Sequence, residues 1–346
     1  MKIHQGYLSL IAGILLLVLL FFFTDDFVRG AEAGLTLCGK IVIPSLFPFL
    51  IASSLAGYGK IPSAAKKLIE PVMQFVFGLP AECITAVILG QFGGYLSGTK
   101  AIQSLRSEGI INRNQADRLL LFSVNAGMGF SVNAVGHGML NSREAGKVLL
   151  FSLCISSVML GVISKFATKE QPESAAEKPA DSLPFSAAVV DSVRSGTYAL
   201  LTACGFVIAF SGIGCVAENL IDSPSARLIF GCLLEVTKGC AAISDKVSLP
   251  VIAAVCAFGG ICVHMQIFAL TDNVNIPRFL LFRLLHAGIA YTVCRIYLFI
   301  RPVTLTASVT FYSNARLFSF SAPASISLLF LCALLILDLD NSRKIC

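Results

Sequence analysis

The sequence contains little charge and no tryptophan. Charged residues make up 13% of its 346 residues, whereas 56% are hydrophobic. A soluble globular domain carries about 25% charged residues, so this composition excludes an ordinary soluble domain and indicates a polytopic membrane protein in a lipid bilayer. Without tryptophan, any aromatic belt at the membrane interface must consist of tyrosine and phenylalanine. The net charge of +6 is modest and its Lys and Arg residues lie between apolar segments, so we expect no nucleic-acid partner.

The sequence also lacks the motifs of metal sites and of common enzymes. Its twelve cysteines include no C-x-x-C pair, and its four histidines are scattered without metal-ligand spacing. Most cysteines lie inside apolar segments, where cysteine packs as a small hydrophobic residue. Residues 34–41 nearly match a phosphate-binding loop, but Ile41 replaces the Ser or Thr that would hold magnesium. With neither H-E-x-x-H nor G-x-S-x-G present, we expect no enzymatic activity, no cofactor and no metal.

Apolar segments of membrane-spanning length recur along the chain. Residues 7–23 form a charge-free segment close to the ~20 residues that a spanning helix needs. Lys2 precedes this segment and an acidic stretch follows it, which predicts a cytoplasmic N-terminus. Lysines at 60, 66 and 67 place the loop at 58–71 on the same face. Further membrane segments are expected at 41–57, 148–164, 195–217, 249–270, 279–300 and 317–337.

The stretch at 77–98, FGLPAECITAVILGQFGGYLSG, is apolar but contains a carboxylate, a proline and a glycine cluster. Broken backbone is tolerated at membrane depth only where protein or a water-filled cavity surrounds it. We therefore predict a re-entrant hairpin that enters and leaves the membrane on one side. Residues 72–77 would enter, 78–80 would form the turn, and a helix would restart at Ala81 with Glu82 near its positive end.

A related pattern occurs in the second half of the chain. Phe77-Gly78 is followed by Glu82, and Phe230-Gly231 is followed at the same spacing by Glu235. Paired broken segments in two halves are the usual sequence sign of a midplane binding site in secondary transporters. We therefore expect both carboxylates to face a shared polar cavity. The alternative is that each carboxylate only caps the start of a helix.

Two further polar residues lie within apolar segments. Asn125 either contacts solute or joins helices, since an amide facing hydrocarbon would stay unpaired. The same alternatives hold for Gln266. The candidate substrate-binding residues are thus Glu82, Asn125, Glu235 and Gln266. The residues expected to form turns or to allow close approach are Gly78, Pro80, Gly93, Gly94, Gly98, Gly127, Gly129, Gly259 and Gly260.

These patterns predict an all-α polytopic membrane protein with two related halves that contain broken or re-entrant helices. Residues 1–33 would form an N-terminal transmembrane helix, and residues 34–166 the first half. Residues 167–185, rich in Pro, Ala and Glu, would be a disordered linker. The second half would span 186–300, and residues 301–346 would form a C-terminal transmembrane helix and tail.

Several motifs together resemble the sporulation integral membrane protein family called YlbJ. They are LFPFLIASSL at 46–55, FGLP with the following LGQFGGYLSGTKAI, NAGMGF, GCLLEVTKGCAAI and FGGICVHMQ. The resemblance implies a Gate, or nucleoside-recognition, domain in each half, as in concentrative nucleoside transporters and the ferrous-iron permease. It also implies a multi-pass inner-membrane protein of an endospore-forming bacterium, in a mother-cell or forespore-surrounding membrane, that is needed for the spore envelope and especially the cortex.

Two functions fit these expectations. The first is a Gate-type permease that moves a small polar solute during sporulation, with a coupling ion. The second is a non-transporting scaffold that assembles envelope machinery, in which the polar residues only hold helices together. A homo-oligomer or other sporulation membrane proteins would be compatible partners in either case.

Overall fold

The computed structural model describes residues 2–59, 61–167, 184–271 and 274–301, and within these ranges the protein is built of helices without a β-strand. Five helical stretches in these ranges are long and apolar enough to cross a bilayer. They are Thr24–Gly57, Arg143–Ala167, Phe185–Leu220, Leu249–Leu270 and Ile276–Ile300. The protein is therefore an all-α polytopic membrane protein, as the composition predicted.

The chain begins with α1 (Lys2–Phe22), followed by α2 (Thr24–Leu37), a π-helical turn (Cys38–Val42) and α3 (Ile43–Gly57). From α2 to α3 the helix is continuous over 34 residues. The π-helical turn ends at Val42, two residues before Pro44, and a widened turn accommodates the hydrogen bond that proline cannot donate. The boundary predicted between residues 33 and 34 therefore falls inside α2.

The first half continues through five α-helices and a second π-helical segment. They are α4 (Ser63–Val76), α5 (Cys83–Phe92), α6 (Tyr95–Ser107), α7 (Arg113–Phe122), the π-helical segment Gly129–Met139 and α8 (Arg143–Ala167). Helices α5 and α6 pack closely together. A Cβ atom on Gly98 would lie 2.8 Å from the Cα of Gly90. The contacting residues are each four positions along the sequence from Gly94. The two helices form a helical hairpin with Gly93-Gly94 at its tip.

The predicted hairpin is therefore misplaced by one element. The chain does break at Gly78, whose φ of +60° ends α4 in the left-handed conformation that glycine adopts readily. However, α4 contacts α5 only slightly, and the hairpin partner of α5 is α6. Pro80 lies in the connection before α5, so residues 72–77 are not an arm of the hairpin.

The second half consists of six helices: α9 (Phe185–Leu220), α10 (Pro224–Leu234), α11 (Val236–Ile243), α12 (Leu249–Phe258), α13 (Gly260–Leu270) and α14 (Ile276–Ile300). Helices α10 and α11 form a second hairpin with Glu235 at its tip, because a Cβ atom on Gly239 would lie 2.6 Å from the Cα of Cys232. Gly259, with φ of +89°, separates α12 from α13.

The two halves follow the same order of elements. Apart from α4, which has no counterpart between α9 and α10, each has a long helix, a helical hairpin, a broken helix and a second long helix; in the first half the broken helix is α7 with the π-helical segment. In this order the counterpart of Glu235 is Gly93-Gly94 at the first hairpin tip. Glu82 precedes the first hairpin, so the repeated Phe-Gly-x-x-x-Glu pattern does not mark equivalent positions.

The long helices α2 and α9 pack against each other through small residues. Gly34 faces Ile208 and Ser211, and a Cβ atom on Gly212 would lie 2.8 Å from the ring of Phe27. Such residues let helix backbones approach closely in a membrane, where hydrophobicity alone gives helices no reason to associate. The predicted helix at 317–337 and most of the linker predicted at 167–185 lie outside the described residues.

Candidate functional site

A cavity of about 70 Å³ lies between the tips of the two hairpins. Both halves and both first long helices contribute to its wall. It is lined by Val42, Leu46, Leu50, Gly93, Gly94, Tyr95, Leu96, Gly127, Phe130, Ala203, Val207, Glu235, Val236, Thr237, Val263 and Gln266. Four of the predicted site and close-approach residues at the tips and breaks thus meet here with Glu235: Gly93, Gly94, Gly127 and Gln266.

Each hairpin tip rests against the broken helix of its own half. In the first half, a Cβ atom on Gly127 would lie 2.7 Å from the Cα of Gly94. In the second half, a Cβ atom on Gly260 would lie 3.2 Å from the amide nitrogen of Val236. These positions need glycine because backbone meets backbone.

The remaining predicted glycines have related roles in packing. A Cβ atom on Gly93 would lie 2.6 Å from the Cβ of Ser53, and one on Gly129 would lie 2.6 Å from the carbonyl oxygen of Ser45. Both contacts hold the elements around the cavity against α3. Gly259 supplies the left-handed turn of the second broken helix.

Glu235 caps α11 and borders the cavity at the same time. Its side chain is buried, and its two carboxylate oxygens accept hydrogen bonds from the backbone N–H groups of Thr237 and Lys238 at 2.8 and 2.6 Å. The ammonium of Lys238 pairs with Glu218 instead, at 2.8 Å. Since each carboxylate oxygen can accept more than one hydrogen bond, Glu235 keeps acceptor capacity beside the cavity. Its capping role is thus observed, while its role as a solute ligand stays a prediction.

Glu82 lies outside this cavity, so the expectation of a cavity shared by both carboxylates is wrong. Glu82 forms an ion pair of 2.6 Å with Lys66, and its side chain is 23% exposed. The ten residues of Cys83–Phe92 separate it from the first hairpin tip by about 15 Å of helix. The chain places Glu82 at the base of the hairpin, whereas Glu235 lies at a tip.

Asn125 is fully buried in a network of protein hydrogen bonds. Its amide group donates to the Gln91 side chain at 2.7 Å, and its oxygen accepts from the N–H of Ala126 at 2.8 Å. Gln91 in turn donates to Ser157, whose hydroxyl donates to the carbonyl of Phe122 at 2.5 Å. Asn125 does not line the cavity. This geometry favours the alternative in which Asn125 joins helices.

Gln266 lines the cavity, and its side chain makes fewer hydrogen bonds to protein groups than that of Asn125. Its amide nitrogen donates to the sulfur of Cys262 at 3.4 Å, and in the described part of the chain its amide oxygen accepts no hydrogen bond. The side chain is 6% exposed. The amide oxygen of Gln266 is therefore available as an acceptor in the wall of the cavity that Glu235 also lines.

Two residues that satisfy the broken backbone were not among the predicted site residues. Tyr95 donates from its hydroxyl to the carbonyl of Cys256 at 2.5 Å. Arg283, fully buried in α14, donates to the carbonyls of Val124 and Leu121 at 2.6 and 2.5 Å. An arginine within an apolar segment was a visible signal, because such residues face the protein interior and need partners.

The size and wall of the cavity limit what it holds in this conformation. A buried water needs roughly 10–15 Å³ of space for the centre of a water-sized sphere. On this measure the cavity of about 70 Å³ admits a few waters, an ion or a very small solute. Four of the lining residues have polar side chains: Tyr95, Glu235, Thr237 and Gln266. The other lining residues are apolar or glycine.

No protein-family model and no solved structure matches the chain. The chain is similar to the sporulation integral membrane protein YlbJ of Bacillus subtilis (strain 168), with 27% identity over 203 residues. The match covers 53% of this chain and 50% of the relative. The chain therefore spans about half the length of the curated relative that it matches.

Proposed function

We propose that this chain is a Gate-type permease that moves a small polar solute across a membrane during sporulation. The observation that carries the proposal is the cavity between two hairpin tips, one from each half, with Glu235 in its wall. Secondary transporters commonly bind substrate at broken helices between two related repeats. The sporulation role rests on the similarity to YlbJ, which is named a sporulation integral membrane protein.

The free-energy cost of breaking helices inside a membrane supports a transport role. Each break leaves carbonyls without helical partners at membrane depth, where every unpaired group is costly. Buried side chains then satisfy them: Arg283 serves the break after α7, and Tyr95 serves the break after α12. A fold used only for mechanical anchoring has no need of these breaks or of a cavity bordered by a buried carboxylate at their meeting point.

In this proposal Glu235 and Gln266 hydrogen bond to the solute or to a coupling ion. Ligand pockets for larger molecules usually have volumes of about 300–1,000 Å³, so the cavity of about 70 Å³ corresponds to a closed state. Admission of a larger solute requires the hairpin tips to separate. The glycines at the first tip and at the α12–α13 break allow such a movement most readily, because glycine has the widest range of backbone angles.

The alternative function, a membrane scaffold for spore envelope assembly, has its own support. Asn125, Gln91 and Ser157 are all engaged with protein groups, and both oxygens of Glu235 already cap α11. If these residues only hold helices together, filling the cavity should leave function intact. That difference separates the two functions.

Cavity filling provides the test. Ala203→Leu adds a larger side chain to the cavity wall, whereas Gly205→Leu on the same helix points into open space, because a Cβ atom there has no neighbour within 4 Å. Each variant would replace YlbJ in Bacillus subtilis, and heat-resistant spores with intact cortex would be counted. If the protein is a permease, the parent and Gly205→Leu should support sporulation and Ala203→Leu should not. The three proteins would be compared at equal amounts in the membrane.

Uptake of a mixture of labelled small polar solutes by proteoliposomes would then measure flux directly. Flux by the parent that Ala203→Leu abolishes supports the permease. Normal sporulation with the filled cavity supports the scaffold, and failure of the parent chain to replace YlbJ removes the sporulation role. A fluorescent fusion would show whether the protein resides in the membrane around the forespore, and its apparent mass in detergent would show whether it forms a homo-oligomer.

A further inference from the structure

Helix α4 (Ser63–Val76) presents three different faces. Leu68, Val72 and Phe75 form an outward apolar stripe, with exposed fractions of 75%, 55% and 82%. Met73 lies on a second face that is buried in the protein, at 1% exposure. The third face carries Ser63, Lys67, Glu70 and Gln74, and Lys67 lies at its border with the outward stripe, about 100° around the helix from Leu68. At 14 residues, α4 is about 21 Å long and falls short of the ~20 residues needed to span a bilayer.

Lys165 fixes the level of α4 relative to a spanning helix. Lys165 lies in the last turn of α8, which is long and apolar enough to cross a membrane. Its ammonium donates to the carbonyl of Phe75 at 2.5 Å and lies 5.7 Å from the centre of the Phe75 ring. The neighbouring Phe166 is 79% exposed. Because the end of a spanning helix lies at the membrane interface, the C-terminal end of α4 lies there too.

The charges around α4 are unevenly distributed. Glu82 is paired with Lys66, and Glu70 accepts hydrogen bonds from Gln74 and from the N–H of Ala81. Both acids are therefore engaged with the protein. In the described part of the chain, Lys67 makes no hydrogen bond or ion pair. Within the described ranges, Lys67 is therefore a cation beside the apolar stripe that no protein group neutralises.

We propose that α4 lies in the plane of the membrane interface and binds anionic phospholipid. Leu68, Val72 and Phe75 enter the boundary between headgroups and acyl chains, and Lys67 and Lys165 lie at the level of the headgroup phosphates. A short amphipathic helix with lysines beside its apolar face binds a bilayer through buried apolar area and through attraction to anionic lipid. This inference is independent of the transport proposal, since it concerns the outer surface and not the cavity.

The absence of tryptophan from the chain makes a direct test straightforward. Phe75→Trp places a single tryptophan on the apolar stripe, and Gln74→Trp places one on the polar face at nearly the same position along α4. Each full-length variant would be reconstituted in vesicles, and its fluorescence quenched by lipids brominated on their acyl chains or by aqueous acrylamide. Leu68→Trp would serve as a second reporter if Phe75→Trp did not fold.

The expected result is that brominated chains quench Phe75→Trp at least about twofold more than Gln74→Trp, with the order reversed for acrylamide. Equal quenching of both positions by acrylamide would overturn the proposal, because the stripe would then face water. Protection of Phe75→Trp from both quenchers would also overturn it, since a second copy or another protein would then cover the stripe.

The headgroup preference needs its own comparison. Bromine would be placed either on a phosphatidylglycerol or on a phosphatidylcholine at the same mole fraction in otherwise identical mixed vesicles. We expect stronger quenching of Phe75→Trp by the anionic species, and a smaller difference after Lys67→Gln or at high salt. Equal quenching by both lipids in the parent background would overturn the selection of anionic lipid.

Discussion

The hydroxyl of Tyr95 donates a hydrogen bond of 2.5 Å to the backbone carbonyl of Cys256. Tyr95 begins the helix after the first hairpin tip, and Cys256 lies in the last turn of α12, just before the break at Gly259. The bond therefore joins a tip of the first half to a break of the second half. The Tyr95 ring also lies against Gly259, 3.4 Å from where a Cβ atom would be.

Tyr95→Phe should weaken this connection without changing the shape of the side chain. The Cys256 carbonyl would remain buried without its partner, which costs about 1–3 kcal/mol. Thermal unfolding in detergent should show the loss, with Tyr291→Phe as a control, since Tyr291 is exposed on α14. Equal melting temperatures for the parent and Tyr95→Phe would show that the bond contributes nothing to stability.

Arg283→Met should destabilise the protein more strongly. Arg283 donates to the carbonyls of Val124 and Leu121 where α7 ends, and hydrogen bonds from charged groups contribute about 1.5–3 kcal/mol each. We expect a loss of about 3 kcal/mol or more, and a smaller loss for Arg283→Lys, which keeps the charge but not the two-pronged geometry. Arg295→Met, on an exposed position of the same helix, should leave stability nearly unchanged.

Gly127→Ala should separate the first hairpin tip from its broken helix. The new methyl group would lie 2.7 Å from both the Cα of Gly94 and the carbonyl oxygen of Phe92, so backbone has to move. Overpacking of this kind costs about 1–3 kcal/mol. Gly288→Ala is the matched control, because a Cβ atom at that helical position meets nothing within 4 Å. Unfolding measurements that show similar stability for both variants would contradict the close approach.

Membrane spans were the part of the fold most accessible from sequence. The apolar segments predicted at 148–164, 195–217 and 279–300 lie within α8, α9 and α14, because spanning helices need long apolar stretches whatever their neighbours are. The hairpin arms were harder to assign. Gly78 and Pro80 mark a real end of a helix, but local backbone signals do not reveal which neighbouring helix packs against α5.

The candidate site was predicted in part for a related reason. Glycines at 93, 94 and 127 were chosen as close-approach positions and do line the cavity. The pairing of Glu82 with Glu235 was wrong because sequence spacing cannot distinguish the base of a hairpin from its tip. Tyr95 was missed because its partner, a carbonyl 161 positions away, is invisible without the fold.

The orientation of the chain remains a prediction that labelling can check. Lysines near 58–71 and at position 2 place both segments on the cytoplasmic face. Lys67→Cys would be introduced into a cysteine-free background, because Lys67 is exposed and Lys66 is paired with Glu82. A membrane-impermeant thiol reagent should label position 67 only after the cytoplasmic side is opened. Labelling from outside intact cells would reverse the topology.

Glu235→Gln tests the site assignment most directly, and Glu82→Gln is its matched control. Both substitutions keep the shape of the side chain and remove its charge. At Glu235 the amide retains one oxygen for the N–H groups of Thr237 and Lys238, so part of the cap is lost and stability should fall by about 1 kcal/mol. At Glu82 only the partly exposed pair with Lys66 is lost, which should cost less than about 1 kcal/mol.

Glu235→Gln and Glu82→Gln should differ much more in activity than in stability. If Glu235 binds solute or a coupling ion, Glu235→Gln should abolish uptake and sporulation while the protein remains folded and inserted, because a buried carboxylate cannot be replaced by a neutral amide as a charge partner. Glu82→Gln should behave as the parent does, since Glu82 lies outside the cavity. Normal activity of Glu235→Gln would leave that carboxylate with its capping role alone. Loss of activity in Glu82→Gln, with Glu235→Gln active, would place the functional site at the base of the first hairpin and not between the tips.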